Sequence, residues 1–154
     1  MKDVIEIIEY DEKYHSIFKQ LNLEWLDKYN LTESHDLEIM DDPSGTVIAR
    51  GGMIFLAMDG YDVVGTAGLW KSSDEEYELI KMGVDPHHRG LGISKLLLEK
   101  CISEAAKAGA EKIILFSNSQ LQTAISLYKK YGFEHVPVTD APFLTADIKM
   151  ELSL

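Results

Sequence analysis

Apolar and polar positions along this 154-residue chain repeat with two different periods, and the order in which the periods succeed one another predicts its elements. Val4–Ile8 is short and apolar, as a first strand would be. Tyr14, Ile17, Phe18, Leu21, Trp25 and Leu26 then recur at three- and four-residue spacing, on one face of a helix that Asp11 can cap. A shorter helical stretch around Leu37–Met40 runs into Asp41, Asp42, Pro43, Ser44 and Gly45, a cluster of turn formers that reads as a loop. Met53–Met58 and Val63–Trp70 are β-prone runs on either side of Asp59 and Gly60, the pattern of a hairpin. After a polar turn over Lys71–Glu76, Tyr77–Val84 is predicted to be a strand and Gly90–Ala108 a helix closed by Gly109. Lys112–Ser117 reads as a strand. Leu121, Ala124, Ile125, Leu127, Tyr128 and Tyr131 form a helical face that Gly132 stops, and Phe133–Val136 and Asp147–Leu152 complete the β segments. This order predicts an α/β (α+β) chain with a central mixed sheet and helices on both faces, and residues 1–154 read as one domain.

Composition narrows the class of partner. Apolar content of 45% and charged content of 27% are ordinary for a folded soluble chain. Fifteen basic against 26 acidic residues give a net charge of −11, which repels nucleic acid and anionic membrane surfaces. Met1, Lys2 and Asp3 lead directly into the first apolar run without an export pattern, and no apolar run is long enough to span a bilayer; the expected location is cytoplasmic. In that compartment the acceptor triplet Asn30, Leu31, Thr32 has no glycosylation machinery to meet. Cys101, the single cysteine, keeps helical spacing with Leu97 and Ala105 and reads as a buried thiol.

The densest chemistry lies between Lys81 and Ser94. A strand ending Met82, Gly83, Val84, Asp85, Pro86 passes through a turn bearing Arg89, Gly90 and Gly92 into a helix. A helix N-terminus beside an arginine suits a phosphate or pyrophosphate, because its first N–H groups lack intrahelical acceptors. Two familiar phosphate motifs fail: no GxxxxGK[ST] occurs, and Gly90, Leu91, Gly92 is followed by Lys95 where a dinucleotide fingerprint needs its third glycine. His87 and His88 are neighbours that point apart, and no third ligand accompanies them, so no metal is expected.

Arg89, Gly90, Leu91, Gly92, Ile93, Ser94 resembles the Q/R-x-x-G-x-G/A motif of the GNAT superfamily of N-acetyltransferases, and it follows a matching MGVDP strand. Ala124, Ile125, Ser126, Leu127, Tyr128, Lys129, Lys130, Tyr131, Gly132, Phe133 resembles the second signature of that superfamily, AxxLYxKxGF. The resemblance is firm from Met53 to Val136. It implies a mostly antiparallel sheet of about seven strands, with the fourth and fifth splayed apart. It also implies acetyl-coenzyme A as donor, its pyrophosphate held by Arg89, Gly90, Leu91, Gly92, Ile93 and Ser94 and its pantetheine arm paired along Met82, Gly83 and Val84. Gly83 is expected to carry a bulge, and the Val84 N–H to polarise the thioester carbonyl. Ser94 stands where the superfamily has Gly or Ala, and Leu121 where many members carry Asn, so Asn118 is the expected amide contact. Glu78 is the expected base for the acceptor amine, and Tyr128 the expected acid for the departing thiolate and a further cofactor contact. A protonated imidazole at His87 or His88 is expected near the phosphates.

The acceptor pocket implied by the resemblance comprises Trp25, Tyr29, His35, Asp36 and Phe143, which match no motif; Trp25 and Phe143 also read as ordinary core. Aromatics beside acids suit a small-molecule amine or an aminoacyl group. Acetylation of a protein N-terminus or lysine, and a non-catalytic acyl-coenzyme A binding module, remain alternatives. The resemblance permits a homodimer, with no interface legible in the sequence.

Overall fold

A computed structural model describes residues 4–139 and 141–154. Met1–Asp3, on which the reading of the amino terminus rests, lie outside the described residues. Among the described residues, seven strands form one sheet in the order β1-β2-β3-β4-β5-β7-β6: β1 (Ile5–Glu9), β2 (Met53–Asp59), β3 (Asp62–Lys71), β4 (Glu76–Val84), β5 (Lys112–Ser117), β6 (Glu134–Val136) and β7 (Ile148–Ser153). Only the β4–β5 pair is parallel. Five helices complete the order: α1 (His15–Lys28), α2 (Ser34–Asp41), α3 (Pro43–Thr46), α4 (Ile93–Lys107) and α5 (Gln122–Lys130).

Strand alternation divides the apolar residues between two cores. On β2, Phe55 and Ala57 join Ile93, Leu97, Leu98 and Cys101 of α4, with Ile125 and Tyr128 of α5. Ile54, Leu56 and Met58 face the opposite way, onto Phe18, Leu21 and Leu26 of α1 and Ile39 and Met40 of α2. The sheet therefore carries helices on both faces, as the pattern predicts. Asp11 caps a 3-10 turn over Glu12–Tyr14 that leads into α1. The polar cluster expected to be a loop is instead helical, because Asp42 accepts from the Gly45 N–H and Pro43 occupies the first position of α3. Helix α4 begins at Ile93 and not at Gly90, since both Gly90 and Gly92 are left-handed, with φ of 79° and 76°.

Strands β4 and β5 pair only over Glu76–Leu79 and Lys112–Leu115, and beyond Leu79 they part. This is the expected splay. The β3–β4 register also shifts, with Thr66 opposite Gly83 but Gly68 opposite Ile80, which leaves β4 one residue longer across that step. The bulge does not fall on Gly83, where the sequence places it. Lys81 adopts the left-handed conformation at φ 50°, a cost of about 1–2 kcal/mol for a residue with a side chain. Gly83 serves close packing instead: a Cβ there would stand 2.6 Å from Trp25 Nε1.

Candidate active site

The parting of β4 from β5 opens a cleft of about 670 Å³ that runs from the start of α4, past the β4 backbone, to α1 and the segment between β6 and β7. Every residue nominated for catalysis or for the cofactor except Leu91 lines it. Leu91 is an exposed residue of the same turn.

At one end the glycine turn does what its composition suggests. Added Cβ atoms at Gly90 and Gly92 would meet nothing within 4 Å, so their backbone angles and not crowding within the chain require glycine. The N–H groups of Ile93, Ser94 and Lys95 find no acceptor among the described residues. Arg89 lies exposed beside them, so the turn presents unpaired donors and a cation together. His88 fastens this turn to the sheet, with Nδ1 2.8 Å from Asp85 and Nε2 3.3 Å from Asp59. The Asp85 hydrogen bond raises the His88 pKa above the ordinary imidazole value. Its ring is therefore bound to two carboxylates, and it clamps the loop where the sequence suggested a phosphate contact.

Midway along the cleft the backbone of β4 is free on the side facing β5. The Asp85 N–H bonds the Val64 carbonyl of β3 at 2.8 Å. Successive strand N–H groups point to opposite sides, so that of Val84 points into the split. Tyr128 reaches the same opening from α5. Its ring is buried, Phe133 lies 5.8 Å away, and its hydroxyl is 3.9 Å from Met82 Sδ. Burial pushes its pKa up, so the hydroxyl keeps its proton at neutral pH.

Glu78 enters from the other face of the sheet. It is a buried carboxylate opposite Trp70 on β3 and Ile114 on β5. Desolvation raises its pKa to about 7, against the pull of Lys81 in the opposite direction. A carboxylate in that range can both accept and release a proton near neutrality. The split thus brings a titrating carboxyl from the α1/α2 face and a protonated phenol from the α4/α5 face to one cleft.

The far end contains the residues that match no motif. Trp25, Tyr29, Asp36 and Phe143 line it. Trp25 and Phe143, which could also be read as core, are only half-buried and form cleft wall. His35 stands behind them, 5.0 Å from Phe143 and 5.7 Å from Trp70, ring centre to ring centre. The segment carrying Phe143 is tied down: Glu33 accepts from the Leu144 and Thr145 N–H groups at 2.8 and 2.9 Å. Asn118 spends its amide nitrogen on the Thr145 carbonyl at 2.7 Å and its oxygen on the Gln120 N–H. Sequence reasoning missed Lys81, whose ammonium pairs with Asp36 inside the cleft. Its one sequence signal is a lysine flanked by Ile80 and Met82 within a strand whose neighbouring positions are apolar.

The architecture around this cleft has known counterparts. A crystal structure of a GNAT-family acetyltransferase from Staphylococcus aureus Mu50 superimposes with a TM-score of 0.89 at 24% identity, over 97% of this chain and 99% of that one. An N-acetyltransferase from Thermoplasma acidophilum, solved in complex with coenzyme A, gives a TM-score of 0.79 at 18% identity, over 98% of this chain and 99% of that one. By sequence, N-acetyltransferase 8 of Rattus norvegicus is 30% identical over 90 residues, 55% of this chain and 40% of that protein. Mycothiol acetyltransferase of Corynebacterium efficiens is also 30% identical over 90 residues, 58% of this chain and 30% of its own length. The match thus spans less than half the length of either relative. Residues 14–133 match the model of the acetyltransferase (GNAT) family, and with most of the sheet and both motif helices inside that span, the chain belongs to this family.

Proposed function

We propose that this chain transfers an acetyl group from acetyl-coenzyme A to a primary amine of a small molecule by direct attack. The observation that carries this reading is the split between β4 and β5, which joins the unpaired N–H groups of α4, the free Val84 N–H, Tyr128 and Glu78 in one cleft. Arg89, Gly90, Leu91, Gly92, Ile93 and Ser94 would hold the pyrophosphate, with the pantetheine arm lying along Met82, Gly83 and Val84. Asn118 lines the cleft as part of this wall, its amide nitrogen held by the Thr145 carbonyl. The binding of coenzyme A by a neighbour of the same fold supports this assignment of the donor.

An alkylammonium with an ordinary pKa of about 10.4 must lose a proton before it can attack. Glu78 takes that proton, directly or through water. The amine nitrogen then bonds the thioester carbon, and the Val84 N–H stabilises the charge that grows on the carbonyl oxygen. The carbon–sulfur bond breaks, Tyr128 gives its proton to the departing thiolate, and the new amide nitrogen releases its second proton to solvent, from which Tyr128 regains one. Base and acid approach from opposite faces of the sheet, which keeps the proton taken from the amine apart from the proton given to sulfur.

The acceptor wall supports a small molecule. Trp25, Tyr29 and Phe143 enclose the far end, and Glu33 fastens the Phe143 segment across it. The test is release of free thiol from acetyl-coenzyme A in the presence of small amines and of lysine-bearing or free-N-terminal peptides. Turnover on a small amine is expected. Turnover on peptides alone would transfer the activity to protein acceptors, and donor-dependent thermal stabilisation without turnover on any acceptor would make this a binding module.

A further inference from the structure

The described residues contain five buried polar or charged side chains, Asn22, Asp36, Thr66, Glu78 and Lys81, and all five gather around the β4 bulge. The Thr66 hydroxyl donates to the Lys81 carbonyl at 2.7 Å. Asn22 Nδ2 donates to Thr66 Oγ1 at 3.2 Å and to the Phe18 carbonyl at 3.0 Å, while its oxygen accepts from Trp25 Nε1 at 3.1 Å. The carbonyl of the bulged residue is thereby tied through β3 to α1. At the other end of the same residue, the ammonium pairs with Asp36, whose second oxygen accepts from the Glu33 N–H at 2.9 Å at the start of α2. The Phe143 ring covers the ammonium, its centre 5.2 Å away.

This arrangement is costly for a fold to keep. A left-handed lysine and a buried ion pair both work against stability, and an apolar pair of similar volume would serve packing equally well. What the bulge achieves is direction. Without the inserted residue, alternation would send position 81 to the face opposite Glu78. With it, Lys81 shares the α1/α2 face with Glu78, three residues along the same strand.

We propose that Lys81 is a positioning residue for the acetyl transfer, held by Thr66 and Asn22 at its carbonyl and by Asp36 at its ammonium so that it presents a fixed cation to the buried Glu78 carboxylate. The proposal rests on Glu78 acting as the base. Desolvation favours the neutral acid at Glu78, and the Lys81 charge opposes it; Glu76 on the same strand acts with desolvation, and Lys149 on β7 acts with Lys81. Burial lowers the Lys81 pKa, and the carboxylates of Asp36, Glu78 and Glu33 oppose that fall, with the Asp36 ion pair fixing the ammonium in place.

The test is the pH profile of kcat/KM for acetyl transfer in the wild type, in Lys81→Met and in the double variant Asp36→Asn/Lys81→Met, which removes both charges and leaves no unpaired carboxylate. In both variants the acid limb is expected to move to higher pH by about one unit, so that activity on that limb falls about tenfold. A structural role alone would lower the rate without displacing the limb. If the double variant folds and its limb stays at the wild-type pH, Lys81 does not act on Glu78 and the proposal is overturned. A wild-type limb that survives Glu78→Gln would instead remove Glu78 as the base, which separates failure of the function from failure of this inference.

Discussion

At the scale of single residues, the proposed chemistry depends on two buried groups whose desolvation favours the protonated form. Glu78 lies in apolar surroundings that raise its pKa from an ordinary 4.5 to about 7. The folded state thus holds this proton more tightly than the unfolded chain does. Stability is greatest below the unfolded value and is lost as pH rises from 4.5 through about 7. Over that span the penalty amounts to about 3 kcal/mol. Glu78→Gln is therefore expected to raise the melting temperature at pH 8, to leave it nearly unchanged at pH 4, and to abolish the acid limb of the rate profile; paired calorimetric and kinetic titrations check both effects. Tyr128 is shifted in the same direction, a phenol whose burial keeps it protonated beside Met82. Tyr128→Phe removes only the hydroxyl and is expected to lower kcat by about a hundredfold while leaving the donor KM within twofold. An unchanged kcat would remove Tyr128 from the chemistry.

Among the elements, the glycine turn and the bulged strand show how differently two irregularities can be encoded. The turn is local: Gly90 and Gly92 need positive φ, and glycine is the residue that meets that need at no steric cost. Gly92→Ala adds a Cβ that meets nothing, so its cost is conformational, about 1–2 kcal/mol of stability. Its larger expected effect is on the donor, because the strain would relax by turning the first N–H groups of α4 away from the pyrophosphate. A donor KM raised at least tenfold with the acceptor KM unchanged is the expected result in steady-state kinetics. The bulge on β4 is not local. Its residue is a lysine in an unfavourable conformation, and Thr66, Asn22 and Asp36 from β3, α1 and α2 hold it there. Sequence reasoning therefore found the bulged strand but chose Gly83, the residue with the freer backbone, when Gly83 is small because Trp25 packs against it.

Across the whole molecule, the proposed donor end and the proposed acceptor end of the cleft are assembled from different amounts of chain. The donor end is built almost entirely from β4, α4 and α5, and a donor bound there should stabilise the fold. Coenzyme A at a hundred times its Kd is expected to add about 2.7 kcal/mol, visible as a rise of several degrees in melting temperature that Gly92→Ala reduces. The acceptor end needs Trp25 and Tyr29 from α1, Asp36 from α2 and Phe143 from the segment before β7, drawn together over more than a hundred residues of sequence. That contrast decides how much was legible in advance. Periodicity placed all seven strands and the principal helices, and the two signatures located the turn, the cleft-facing segment of β4 and Tyr128, because each rests on neighbours in sequence obeying local rules of φ, spacing and capping. The resemblance named residues for the far wall, but the fastening of the Phe143 segment by Glu33, the His88 clamp between Asp59 and Asp85, and the pairing of Lys81 with Asp36 were decided only by the tertiary structure. Their partners are distant in sequence, and nothing in a residue's own neighbourhood says which charge or ring will face it once two sheet faces and four elements have packed.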